Sequence, residues 1–135
     1  MQPHSPPDRI RQAVAATGYI EDHALALAIV KQLNEAPTAY DAVEAGRKAQ
    51  AFLTVHMAEE EANDGVFHWL VALNSSLADE VARLVEQHGE VREALKALLG
   101  AHEGNAVELA RQLAELLEEH EAAERAALDR ALQRG

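Results

Sequence analysis

Apolar positions recur with a helical period along nearly the whole chain, and turn signals break that pattern at a few places. Ile10, Ala13 and Val14 open it near Asp8, with Gly18 a point of interruption or kink. It resumes through Ile20, Leu27, Val30 and Leu33, with His23 on the same apolar side, and Pro37 ends it because the residue before a proline resists the helical region. A second helix is predicted from about Thr38 to Asn63, carrying Val43, Phe52, His56 and Glu60, with Asn63-Asp64-Gly65 as its stop. Val66 to Asn74 holds Phe67, His68 and Trp69 and predicts a short helix or ordered connection over one end of the molecule, capped by Trp69. Ser75 and Ser76, followed by Asp79 and Glu80, predict a cap and an acidic first turn for a third long helix. That helix runs to about Leu99 with Val81, Leu84, Val85, His88, Val91, Leu95 and Leu98 on one stripe. Gly100 to Gly104 reads as a turn, and a fourth long helix follows from about Asn105 to Leu132. Four long helices with short connections predict an all-α, up-down-up-down four-helix bundle. Residues 1–8, with three of the four prolines, read as a flexible lead-in, and 9–133 as one domain.

Composition narrows the chemistry. The 135 residues are enough for one domain with a real core. There is no Cys, which excludes disulfides, thiolate-held clusters or zinc, and thiol catalysis. Any metal must be held by imidazole and carboxylate. A formal charge of −11 argues against nucleic acid as a partner, since phosphates require a basic patch. No apolar run approaches a membrane span, and the first residues lack the basic and apolar regions of a secretory signal, so a cytoplasmic location is expected.

Two segments then stand out. Phe52-Leu-Thr-Val-His56-Met-Ala-Glu-Glu60-Glu and Leu116-Leu-Glu-Glu-His120-Glu-Ala-Ala-Glu124 each place His and Glu four residues apart within an apolar pattern. Four helical residues rise roughly 6 Å and turn about 40° past a full circle, so both side chains leave one face. Phe52, Leu53 and Val55 around the first pair, and Leu113, Leu116, Leu117 and Leu128 around the second, predict that these faces point inward. Buried imidazoles and carboxylates require partners, and a metal would supply them. His56 and His120 are 64 residues apart, as are Glu60 and Glu124, and His23 and His88 are 65 apart. The chain therefore reads as two copies of one hairpin, each with His and then His-x-x-x-Glu. Helical rise brings the two His of each copy level to within about one and a half turns.

Four imidazoles and two carboxylates suit iron, or less well manganese, better than calcium or magnesium, and one zinc would leave two of the six unused. Six ligands with two-fold symmetry suit two metal ions, each with two terminal His and with Glu60 and Glu124 as bridges. An oxide or hydroxide would balance further charge. The pattern from about residue 10 to 132 resembles the hemerythrin-like family of His–His–Glu cation-binding domains. The resemblance implies that His23, His56, Glu60, His88, His120 and Glu124 are di-iron ligands. The oxygen carriers of that family have His-x-x-x-His on the third helix, whereas here Arg92 follows His88 by four and Leu84 precedes it by four, and their last acid, five after its His, falls where this chain has Arg125. With one His fewer, the chain is more similar to six-ligand members linked to iron–sulfur cluster repair under nitric oxide stress, and to stand-alone members that decompose peroxide. The repair proteins usually carry a Cys-bearing segment, so the stand-alone class fits this Cys-free chain better.

The expected function is thus a non-haem di-iron protein that binds or reacts with O2, peroxide or nitric oxide, with catalase-like peroxide decomposition as the enzymatic form. The alternative is a non-enzymatic oxygen or iron sensor or store that signals through occupancy. A metal-free helical interaction module is the third class. Tyr19, four residues before His23, is a candidate extra ligand or hydrogen-bonding neighbour, with a core-edge tyrosine as the plainer reading. Glu59, Glu61 and Glu121 read as a solvated face, and Tyr40, His68 and His102 as structural or solvent-facing residues.

Overall fold

The computed structural model describes residues 19–63 and 65–134, without the side chains of 19–22 and 132–134. The expected helix start near Asp8, the kink at Gly18 and the lead-in lie outside the described residues. Five α-helices occur in order, and no strand is found among the described residues: α1 (Tyr19–Glu35), α2 (Ala39–Glu61), α3 (Val66–Leu73), α4 (Ala78–Leu99) and α5 (Ala106–Arg134). The four long ones are α1, α2, α4 and α5. α1 packs on α2 and α5, α4 packs on α2 and α5, and α2 also meets α5, while short α3 lies against α2, α4 and α5.

Local chemistry sets the helix ends. Thr38 Oγ1 accepts from the Asp41 amide at 3.1 Å and starts α2 directly after Pro37. The start of α4 differs from the expected serine cap. Asn74 Oδ1 accepts from the Ser76 amide at 3.1 Å and its hydroxyl at 2.6 Å, closing a 3₁₀ turn over Ser75–Leu77. An amide side chain two residues ahead reaches a free N–H more easily than a serine inside the turn. Asp79 and Glu80 do occupy the first turn of α4.

Gly65 links α2 to α3 where two backbones nearly touch. A Cβ there would meet the Glu59 carbonyl oxygen at 2.2 Å and that of Glu60 at 2.7 Å. Only glycine allows the chain to turn back so close to the end of α2.

Two apolar clusters form the core. One gathers Leu33, Leu53, Met57, Val91, Leu95, Leu98, Leu113 and Leu117, and the other Val66, Phe67, Leu70, Leu77, Leu84, Ala127 and Leu128. Along α4, Leu84 belongs to the second and Val91 to the first, with buried His88 between them. Along α5, Leu117 and Ala127 likewise flank His120 and Glu124. A polar layer thus divides the core into two.

Three expected core residues face outward instead: Val55 is 57% exposed, Leu27 49% and Val85 39%. Each lies next to the buried stripe, where one helical step of about 100° turns a side chain out of it. Tyr40, His68 and His102 are exposed as expected, and Trp69 is half-buried with its ring edge against His68. No described helix is long and apolar enough to cross a membrane.

Candidate metal centre

The polar layer is built by three helices. α2 brings His56 and Glu60, α4 brings His88, and α5 brings His120 and Glu124, and all five are almost fully buried. They form two groups that share Glu60: Glu60, His88 and His120, and His56, Glu60 and Glu124. Within each group the ligand atoms lie within 4.8 Å of one another. His88 Nε2 is 3.2 Å from His120 Nε2 and 3.0 Å from Glu60 Oε1. His120 Nε2 stands 3.2 Å from Glu124 Oε2, and His56 Nε2 stands 3.4 Å from Glu60 Oε1.

The structure therefore brings together five of the six predicted residues. His23 belongs to neither group. It sits on α1, half-buried, with Nδ1 2.6 Å from Glu121 Oε2. Tyr19 begins α1, and its side chain lies outside the described residues.

The imidazole orientations carry chemical information. His88 Nδ1 lies 2.7 Å from Glu61 Oε2, and His120 Nδ1 lies 2.8 Å from Gln87 Oε1. Both oxygens are acceptors, so each Nδ1 carries the proton. In the neutral ring the Nε2 lone pair then points into the layer. Two such lone pairs 3.2 Å apart, facing carboxylates, repel unless a cation lies between them. Among the described residues, buried Glu60 Oε2 has no hydrogen-bond donor. Protons or a metal ion would resolve the layer, and three-sided sets of imidazole and carboxylate fit the latter.

Glu61 and Glu121 depart from the solvated-face reading. Glu121 is buried against His23, and Glu61, though near the surface, accepts from His88 and from Arg92 at 3.2 Å. Glu121 was detectable in sequence: it falls four after Leu117 and seven before Leu128, on the buried stripe of α5. Gln87 carried no such signal, because its partner is on another helix. Glu59 is exposed, as expected. The chain's two phenylalanines both stack on site histidines, Phe52 on His56 at 5.0 Å and Phe67 on His88 at 5.4 Å. Phe67 and Glu61 also line an open cleft of about 440 Å³ beside α3, with Val81 and Val85 opposite.

Electrostatics in the layer follow from burial and contact. Burial pushes the Glu60 carboxyl up, but hydrogen bonds with Glu124, His120 and His88 and the charge of His56 outweigh it and hold it far below the usual carboxylate range. Burial pushes His88 down, and its bonds to Glu60 and Glu61 reverse this and raise it. Glu61 is lowered overall, its slight burial being outweighed by His88 and Arg92.

These directions predict a pH profile for the metal-free protein. The raised His88 contributes stability that is complete below the ordinary histidine value of 6.5 and fades as pH rises through its folded value. The lowered Glu60 contributes stability that is complete above its ordinary value of 4.5 and fades as pH falls through its folded value. Melting temperature in chelator should thus be highest between these two values and fall above 6.5. Metal affinity should rise over the same upper range, because the proton on Nε2 must leave before a metal binds. A melting temperature that climbs above the histidine range would contradict this.

Comparison with protein-family models, with curated proteins and with solved structures finds no match to this chain.

Proposed function

We propose that this chain is a hemerythrin-like, up-down-up-down four-helix bundle holding two iron ions, and that it binds or reacts with O2, peroxide or nitric oxide in protection against oxidative or nitrosative stress. One observation carries the reading: imidazole Nε2 atoms and carboxylates from three helices converge in a buried layer, with two Nε2 atoms 3.2 Å apart. Such a cluster would be costly in a core that held no cation.

His88, His120 and Glu60 would hold one ion and His56, Glu60 and Glu124 the other, which makes Glu60 the shared ligand. His23 joins as the sixth ligand in this reading, because Glu121 engages its Nδ1 as Glu61 and Gln87 engage those of His88 and His120. Iron bound there supplies redox change and open positions for a small molecule. In the catalase-like form, one peroxide gives up two electrons and two protons to become dioxygen, and a second takes them to become two waters. Glu124, fully buried with Oε2 3.2 Å from His120 Nε2, is the carboxyl placed to hold a proton during that exchange. The cleft lined by Phe67 and Glu61 lies beside the layer, with Phe67 stacked on His88.

The test is elemental analysis and visible absorption of protein purified after growth with iron, followed by addition of peroxide. About two irons per chain, with ligand-to-metal absorption lost in His120→Ala, is the expected result. Sustained oxygen evolution separates an enzyme from a sensor or store, which would respond once per site. One zinc per chain, or no metal at all, would overturn the di-iron reading.

A further inference from the structure

The ligands repeat at 64 or 65 residues, but Glu61 and Glu121, which hold imidazoles from behind, do not. Glu61 has Arg125 at the equivalent position of the second copy, and Glu121 has Met57. The outer contact of His88 is therefore particular to that ring and not a product of the duplication. The outer contacts of His88 and His120 also differ in chemistry. His88 donates to a carboxylate, Glu61, whose same oxygen is held by Arg92, whereas His120 donates to a neutral amide, Gln87.

Each contact comes from a helix other than the one carrying its histidine: α2 supports the α4 ring, and α4 supports the α5 ring. An imidazole on a flexible Cβ–Cγ bond has two broad orientations and two tautomers. A fixed acceptor at Nδ1 selects one of each, so that the Nε2 lone pair already faces Glu60 before any cation arrives. An anionic acceptor also makes the ring a stronger donor than an amide does.

We propose that Glu61 and Gln87 are positioning residues for metal binding, which lock His88 and His120 with Nε2 facing Glu60, and that Glu61, through its charge, makes His88 the stronger donor of the two. The inference rests on the metal reading given above. Arg92 is the clamp that keeps Glu61 on the ring, because the carboxylate lies where the helix meets solvent and would otherwise be free to turn away.

The test is titration of the metal-free full chain with Co(II), read by its visible ligand-field bands. Glu61→Ala and Gln87→Leu should each weaken binding to the group of Glu60, His88 and His120 by about 10–100-fold. Glu61→Gln keeps an oxygen for Nδ1 but loses the charge, and should lose only part of that affinity. Gln87→Glu should tighten binding. Glu59→Ala removes the same charge from an exposed position two residues away, and should leave the affinity nearly unchanged. Imidazole ¹⁵N correlations of the metal-free protein, recorded above the histidine range, should show His88 and His120 as Nδ1–H tautomers, with His88 losing that preference in Glu61→Ala. This second readout does not depend on metal, and Glu61→Gln serves for it should Glu61→Ala fail to fold. Affinities of Glu61→Ala and Gln87→Leu equal to that of Glu59→Ala, or Nε2–H tautomers in the parent protein, would overturn the positioning role while leaving the metal centre standing. A parent protein that takes up no Co(II) would overturn the metal reading, and the positioning role with it.

Discussion

Loading the metal-free protein with ferrous iron or Co(II) is expected to raise its melting temperature on the order of 15 °C. A ligand present at a hundred times its dissociation constant adds about 2.7 kcal/mol of stability for each site. Two sites give about 5 kcal/mol, and for a domain of this size each kcal/mol moves the midpoint by several degrees. The physical source is local. Without metal, two buried carboxylates and three buried imidazoles crowd one layer between the apolar clusters, and only protons can balance them. Metal exchanges that crowding for coordination, and the folded chain is the state that assembles the ligands. Glu60→Ala should remove nearly the whole increment, because Glu60 belongs to both groups. Glu124→Ala should leave about half of it, since the group of Glu60, His88 and His120 stays complete. Scanning calorimetry with chelator and with metal settles the matter. Equal midpoints in the two conditions would remove the link between metal and fold, and equal losses in the two variants would remove the special position of Glu60.

Gly65→Ala is expected to cost about 3 kcal/mol or more, an unusually large effect for a single added methyl group. The added Cβ would stand 2.2 Å from one backbone oxygen and 2.7 Å from the next. Backbone cannot rotate aside as the tip of a side chain can, so the end of α2 itself would have to move. That end carries Glu60 and Glu61, so Co(II) binding should weaken together with stability. Gly89→Ala is the natural contrast. It adjoins His88 in the sequence, yet nothing lies within 4 Å of a Cβ placed there, and it sits inside α4. Alanine at that position should add about 0.5–1 kcal/mol through lower backbone entropy in the unfolded chain. Urea denaturation of both variants in chelator reads the difference. Two similar, near-neutral results would show that the connection between α2 and α3 yields more easily than its geometry implies.

Much of the architecture is legible along the chain. The helical period of apolar residues marks α2, α4 and α5 to within a few residues of their ends, and Pro37, Gly65 and Gly100 mark the breaks. Helical pattern is a local property, set by which side chains share a face every three or four residues. The turn before α4 was less legible, because Ser75 and Ser76 offer the same capping chemistry as Asn74 and only the backbone path decides which side chain reaches a free amide. Outward-facing Val55, Leu27 and Val85 have a similar cause: an apolar residue at the margin of a stripe is buried only where a neighbouring helix covers it.

The sequence by itself determined the inner set of the candidate centre, because His-x-x-x-Glu on one helix face and its 64-residue repetition are facts of spacing. His56 with Glu60 and His120 with Glu124 need only the geometry of a single helix to be neighbours. The tertiary structure decided everything that crosses between helices. It joined the two pairs through His88, placed Glu121 on His23 Nδ1, and brought Glu61 and Gln87 against the rings of His88 and His120. Those relations depend on how far each helix is rotated and slid against its neighbours. That is fixed by the packing of two apolar clusters around the polar layer, and no periodicity within one segment encodes it.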